Sequence, residues 1–131
     1  MKTLKICATF VILFLLFSCE KEKFKLNENL GISFGKSIEV ELSGSEKMTL
    51  EFIDLLEDSR CPPNANCVWA GECSLTLKVN GKDNLTFGYP DDLHPTVVKY
   101  GNYKISITDV IYDKDDNFGL EKHCTVKLKV E

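Results

Sequence analysis

The residues best placed to do chemistry stand in one run, Asp58 to Gly71, reading D-S-R-C-P-P-N-A-N-C-V-W-A-G. It holds two cysteines, two prolines and the only arginine and tryptophan of the chain. Pro62 and Pro63 lack backbone donors and restrict the residues before them, so this run is neither helix nor regular strand. It is expected to be a rigid loop closed by its own cysteines. Asp58 and Arg60 can pair through the arginine fork or hold loop carbonyls. Gly71 permits a backbone conformation that other residues resist. Trp69 has the bulk to plug one end of a β-sandwich beside the disulfide. A structural role is preferred for the group over a binding role, and an exposed Trp69 would reverse that preference.

Elsewhere the chemical inventory is thin. The two histidines are His94, in a polar stretch, and His123, and no serine stands in a G-x-S-x-G setting, so no nucleophile and base are paired by motif. Asp113, Asp115 and Asn117, followed by Gly119, alternate oxygen side chains as calcium loops do. The glycine at the sixth position and the glutamate at the twelfth are missing, so this is no EF-hand. A solvated turn explains the same residues, and no cofactor is expected.

The elements that carry these residues follow a period of two. Leu30, Ile32 and Phe34, then Ile38, Val40 and Leu42, then Leu50 and Phe52 alternate with polar residues. Cys73, Leu75, Leu77 and Val79 continue the pattern, followed by Leu85 and Phe87, by Tyr103, Ile105 and Ile107, and by Cys124, Val126, Leu128 and Val130. Ser43-Gly44-Ser45 and Asn80-Gly81 supply turns, and no segment shows a helical repeat. About seven short strands predict an all-β fold, a small antiparallel β-sandwich with a small closed barrel as the alternative. A single domain over residues 30–131 is expected.

The amino terminus sets the compartment. Lys2 and Lys5 precede an apolar run of twelve residues, Ile6 to Phe17, too short to cross a bilayer, for which about 20 are needed. A basic head and a short apolar core describe a signal peptide over residues 1–18. Leu16-Phe17-Ser18-Cys19 resembles the lipobox of bacterial lipoproteins, which implies an acylated Cys19 as the mature amino terminus and a permanent membrane anchor. Phe17 departs from the smaller residue usual there. Residues 19–29 are then expected to be the lipidated cysteine and a charged, flexible tether reaching about 15 to 20 Å. The charged run Glu20 to Lys23 also resembles sorting signals that send lipoproteins to the outer membrane. Which face of that membrane is used stays open.

In an exported protein, Cys61, Cys67, Cys73 and Cys124 are expected to form disulfides rather than hold zinc. Cys61 and Cys67 share the proline loop and pair locally. Cys73 and Cys124 both alternate with core residues, so both sulfurs should face inward and pair, with about 4 kcal/mol of stabilisation on the loop-entropy estimate. The full chain carries a net charge of −4, and loss of the signal peptide lysines makes it more acidic. No concentrated positive face is available for nucleic acid.

The Asp58 to Gly71 run resembles a family of small, mostly uncharacterised bacterial exported proteins and lipoproteins with the motif D-S-R-C-P-x(4)-C-x-W-x-G. All its motif positions are met: Asp58, Ser59, Arg60, Cys61, Pro62, Cys67, Trp69 and Gly71. The resemblance implies an exported all-β domain and no reaction. The expected function is therefore a non-enzymatic binding or structural module held at the cell envelope by its lipid anchor, with an envelope protein or glycan as partner. One alternative is a protease inhibitor using the Cys61–Cys67 loop, whose stiffness lowers the entropy cost of binding; the other is an enzyme acting through Asp or His.

Overall fold

The computed structural model describes residues 22–90 and 94–131. The expected signal peptide over 1–18 and the expected lipidation site Cys19 lie outside the described residues, as do positions 91–93. Nine strands form: Lys23–Lys25 (β1), Leu30–Ser33 (β2), Ser37–Glu41 (β3), Lys47–Asp58 (β4), Cys73–Val79 (β5), Asp83–Tyr89 (β6), Val97–Tyr100 (β7), Tyr103–Tyr112 (β8) and Cys124–Val130 (β9). They make a five-stranded sheet in the order β1-β3-β4-β5-β6 and a four-stranded sheet in the order β2-β9-β8-β7. All neighbours are antiparallel except β1 and β3. The sheets do not close on each other, so the sandwich is observed and the barrel is not.

The alternation in the sequence explains the core. Ile38, Val40, Leu50, Phe52, Leu75, Leu77 and Phe87 face inward from one sheet, and Leu30, Ile32, Ile105, Ile107, Val126, Leu128 and Val130 from the other. Each fully buried side chain of this size contributes about 1.5 to 3 kcal/mol. Phe34 meets Phe52 edge to face at 5.5 Å, which adds directional packing to the apolar term. Asn80 and Gly81 both take positive φ and, with Lys82 N–H donating to the Val79 carbonyl at 3.0 Å, turn β5 into β6, where Val79 pairs with Asp83, the use of Asn-Gly in tight hairpin turns. Register shifts in β4 fall between Phe52 and Asp54 and between Leu55 and Glu57. The second turns Leu56 out to solvent, the expected effect of an extra residue in one strand of a pair.

Two expectations are corrected here. The stretch from Lys23 to Asn29 is not a free tether: Phe24 pairs with Val40 in β1, and Asn27 N–H donates to the Val130 carbonyl at 2.9 Å. A strand of three residues with one apolar side chain carries almost no periodic signal, and its backbone pairing at a sheet edge is what orders it. The expected Cys73–Cys124 bridge is not formed. Both residues are fully buried and face inward, but they are free thiols. Facing inward puts a sulfur in the core without setting which group it meets there. Cys124 interacts with the Tyr112 hydroxyl, and Cys73 lies near the Asp58 and Arg60 charges.

Burial pushes the Cys73 thiol up to about 12, with the nearby Asp58 carboxylate acting in the same direction. Burial likewise pushes Cys124 up to about 11. Native thiols are therefore protonated and inert at neutral pH, since only the thiolate attacks. We expect the folded protein to resist alkylation at both positions. The same protein unfolded without reductant should take up two alkyl groups on its core cysteines, counted by intact mass. The raised values also fix the sign of a pH effect. Their contribution to stability is fully present below the unfolded thiol value of about 9 and is lost as pH rises toward 11 and 12.

Candidate functional site

β4 outruns its partner β3: Ser37, the first residue of β3, pairs with Glu51, and β4 continues to Asp58. There it feeds the loop 59–72, which returns as β5 with Cys73 opposite Asp58. The neck of this loop is pinched shut. Ser59 N–H and Ser59 Oγ both donate to the Glu72 carbonyl, at 2.9 and 3.1 Å, and Glu72 N–H donates to Ser59 Oγ at 3.1 Å. Gly71 sits in the left-handed region at φ +66 with the Ser59 and Arg60 backbone against its Cα. The position thus demands glycine on two counts, conformation and space. Beyond the neck, Cys61 and Cys67 are bridged with Cα atoms 5.7 Å apart. Ala65 N–H donates to the Pro62 carbonyl at 3.1 Å, so the segment inside the bridge is a turn rather than an extended strand.

Asp58 and Arg60 form the base on which the loop stands. Arg60 Nε and Nη2 grip the two Asp58 carboxylate oxygens at 2.9 and 2.7 Å. Tyr112 Oη donates to Asp58 Oδ2 at 2.7 Å, and Arg60 Nη1 donates to the Val110 carbonyl at 3.0 Å. Through these bonds β4 of one sheet is tied to β8 of the other. The Arg60 guanidinium also lies over the rings of Phe118 and Tyr89, at 5.6 and 5.8 Å from their centroids, a cation–π arrangement. Burial works against the Arg60 charge, yet the Asp58 carboxylate outweighs it and raises the arginine's proton affinity. Tyr112 is pushed upward as well, by burial first and then by its bond to Asp58. An acid, a base and a phenol so locked stabilise structure and are not poised to transfer protons.

Trp69 departs from expectation. It does not plug the sandwich: it is 57% exposed, and its neighbour Val68 is fully exposed. Its indole Nε1–H donates to the Ser59 carbonyl at 2.9 Å. One edge of the ring is thereby fixed while the rest meets solvent. The sequence could not reveal this, because the acceptor is a backbone carbonyl brought within reach only by the neck that Gly71 allows. Beside the loop runs a groove of about 380 Å³ lined by Arg60, Pro63, Ile111, Tyr112, Lys114 and Phe118 among others. Arg60 and Tyr112 of the base stand in its wall, with Asp58 buried behind them.

Glu72, Ser74 and His94 form a second polar cluster that sequence reading missed. Ser74 Oγ donates to Glu72 Oε1 at 2.7 Å, and His94 Nδ1 lies 2.9 Å from the same oxygen and 3.2 Å from Ser74 Oγ. A nucleophilic triad needs the carboxylate on one ring nitrogen and the serine on the other. Here both meet Nδ1, and the serine gives its proton to the carboxylate. The cluster instead clips residue 94 onto β5, where Gly88 leaves room: a Cβ there would stand 2.5 Å from the His94 carbonyl. Glu72 and Ser74 flank Cys73 at the start of β5, and both are buried.

The calcium candidate does not assemble. Asp113 accepts from Asn117 Nδ2 at 2.7 Å and meets His123 Nδ1 at 2.9 Å, and Asp115 opens a short 3-10 turn over Asp115–Asn117. Asn117 therefore donates to Asp113 instead of offering an oxygen beside it. Among the described residues no group of three or more His, Cys, Asp or Glu side chains stands where it could hold a metal ion. No family model, no curated protein and no solved structure matches the chain.

Proposed function

We propose that this chain is a lipid-anchored, non-enzymatic binding module of the bacterial cell envelope, tethered through Cys19 and recognising its target with the end that carries loop 59–72. One observation carries the reading: the single tryptophan of the chain stands exposed on a loop fixed by a disulfide, a pinched neck and a hydrogen bond to its own indole. An exposed aromatic is costly to leave in water and, held rigid, loses little entropy on binding. Asp58, Arg60 and Gly71 serve as its scaffold. The expected home is the outer membrane, as the charged run after Cys19 suggests.

The test uses two variants of the full chain. Cys19→Ala is expected to be released from washed envelopes, where the unaltered protein stays. Added back to those envelopes, the Cys19→Ala protein should bind weakly and saturably, and a further Trp69→Ala change should weaken that binding about 30-fold, the effect of losing a hot-spot side chain worth about 2 kcal/mol. Binding that is indifferent to Trp69 would refute the recognition role. Retention of Cys19→Ala through washing would count against acylation.

A further inference from the structure

The outer faces of the two sheets hold their lysines in different company. On the five-stranded sheet each strand lysine stands opposite an acid: Lys23 opposite Glu39, Lys25 and Lys47 opposite Glu41, and Lys78 opposite Glu51. The four-stranded sheet does the reverse. Lys99 of β7 is directly opposite Lys104 of β8. Lys129 of β9 lies opposite Ser106, two residues beyond Lys104, and Lys127 stands two residues before Lys129. Lys104, Lys127 and Lys129 alternate with the buried Ile105, Val126, Leu128 and Val130, and Lys99 with Val98 and Tyr100, which pack on the core, so all four share the outer face. Opposed residues stand about 5 Å apart and diagonal ones about 7 to 8 Å, while two steps along a strand span about 7 Å, so the four form a stripe about 20 Å long. Lysines scattered along the sequence, from which no concentrated positive face is expected, are gathered by register.

Like charges directly opposite each other destabilise a sheet. Among the described residues none of Lys99, Lys104 and Lys127 forms an ion pair. Two carboxylates share the face. Glu131 meets Lys129 Nζ at 2.6 Å, but the two side chains are 46% and 32% exposed, and a pair so open to water is weak and exchanges readily. Asp109, opposite Lys127, accepts from the Val110 N–H at 2.8 Å. Four lysines thus stand against two acids in a chain whose net charge is −4. A lysine on an edge strand such as β7 guards against pairing with a further strand. That reason does not reach Lys127 and Lys129, because β9 has a neighbour on each side.

We infer that the outer face of the four-stranded sheet binds a linear acidic polysaccharide, whose successive carboxylates lie along Lys127, Lys129, Lys104 and Lys99. Ammonium groups are point charges, and a row of them on a sheet matches a row of anions better than one compact anion. The composition of the face selects among polyanions. Protein interfaces are enriched in aromatic residues and arginine and depleted in lysine and serine, whereas the paired residues of this face include neither ring nor arginine. Without rings the face also lacks the stacking platforms that hold single-stranded nucleic acid and the aromatic anchors of a membrane interface. Ser106 stands inside the stripe, opposite Lys129, where its hydroxyl both donates to and accepts from sugar hydroxyls. This surface is separate from loop 59–72 and does not depend on the tether.

The probe is polygalacturonate labelled at one end with fluorescein, titrated with the full chain in a non-ionic detergent and followed by anisotropy. Binding is expected, with none to neutral dextran of the same length. The affinity should fall about tenfold between about 50 and 200 mM salt, as counterion release from a few contacts requires. Lys127→Gln with Lys129→Gln, and separately Lys99→Gln with Lys104→Gln, should each weaken binding about tenfold, the effect of losing two exposed charge contacts. Glu131→Gln frees Lys129 and should strengthen binding about threefold. Lys23→Gln with Lys47→Gln, on the other sheet, should change it less than about twofold, since those charges lie beyond a screening length of about 10 Å. Trp69→Ala should leave binding unchanged, which keeps this result distinct from that of the loop. Urea midpoints of the lysine variants should not fall, and a fall would assign the lysines to the fold. No binding at low salt, or equal weakening by the Lys23 and Lys47 pair, would overturn the site. Single-stranded DNA, or phosphatidylglycerol in the same micelles, competing more strongly than unlabelled polygalacturonate at equal charge would assign the face to another polyanion and overturn the glycan.

Discussion

Arg60→Ala is expected to lower the unfolding free energy by about 3 to 5 kcal/mol, the range for removing one member of a buried ion pair. The Asp58 side chain is fully inaccessible to solvent and the Arg60 side chain 16% exposed. Without the guanidinium, Asp58 keeps the Tyr112 hydroxyl and the backbone N–H of residue 60, too little to offset the burial of a carboxylate that has lost its paired cation. The Val110 carbonyl and the faces of Tyr89 and Phe118 lose their partner at the same time. Arg60→Lys should recover less than half of the loss, because a lysine offers a point charge where the site requires a planar fork. Urea unfolding followed by circular dichroism reads both variants. A loss below about 1 kcal/mol for Arg60→Ala would show that the pair is not the base of the loop.

Gly71→Ala should cost about 4 to 5 kcal/mol and disturb the loop itself. A residue with a Cβ pays about 1 to 2 kcal/mol in the left-handed region. The added methyl would also run into the Ser59 carbonyl and stand 2.8 Å from the Arg60 Cα. The neck can relieve that contact only by opening, which gives up the bonds between Ser59 and Glu72 at about 1 kcal/mol each. Since the Trp69 indole is held by the Ser59 carbonyl, its emission should change in the folded variant. Gly44→Ala, at positive φ with open space around it, serves as the control: it carries the conformational strain alone and should cost no more than about 2 kcal/mol. Equal losses for the two variants would mean that the close approach at Gly71 has no energetic weight.

Much of this molecule was readable from residue types because its sheets bury one face. The alternation of Ile38 with Val40, or of Val126 with Leu128, follows from the pleat, and the inward turn of Cys73 and Cys124 came with it. Depth and partner are different quantities. Alternation says that a sulfur faces the core, and the Asp58, Arg60 and Tyr112 groups that gather near the two sulfurs come from two distant segments, the end of β4 with its loop and the end of β8. The pairing of Asp58 with Arg60 was legible, since two residues two apart in a tight loop need no distant element to meet. Trp69 was not, because its exposure depends on a carbonyl ten residues earlier. β1 and β7 escaped for another reason: short edge strands such as Lys23–Lys25 and Val97–Tyr100 are held by backbone bonds to a neighbour, and backbone bonds leave little trace in side-chain pattern.

The central claim divides the motif: Asp58, Arg60 and Gly71 build the loop, and Trp69 is displayed by it. Denaturant unfolding of Trp69→Ala tests that division most directly. The structure leads us to expect a loss within about 1 kcal/mol, the worth of one indole hydrogen bond, with the slope of the transition unchanged. A loss of 3 kcal/mol or more, the cost of emptying a packed core site, would make Trp69 a structural plug and contradict the account.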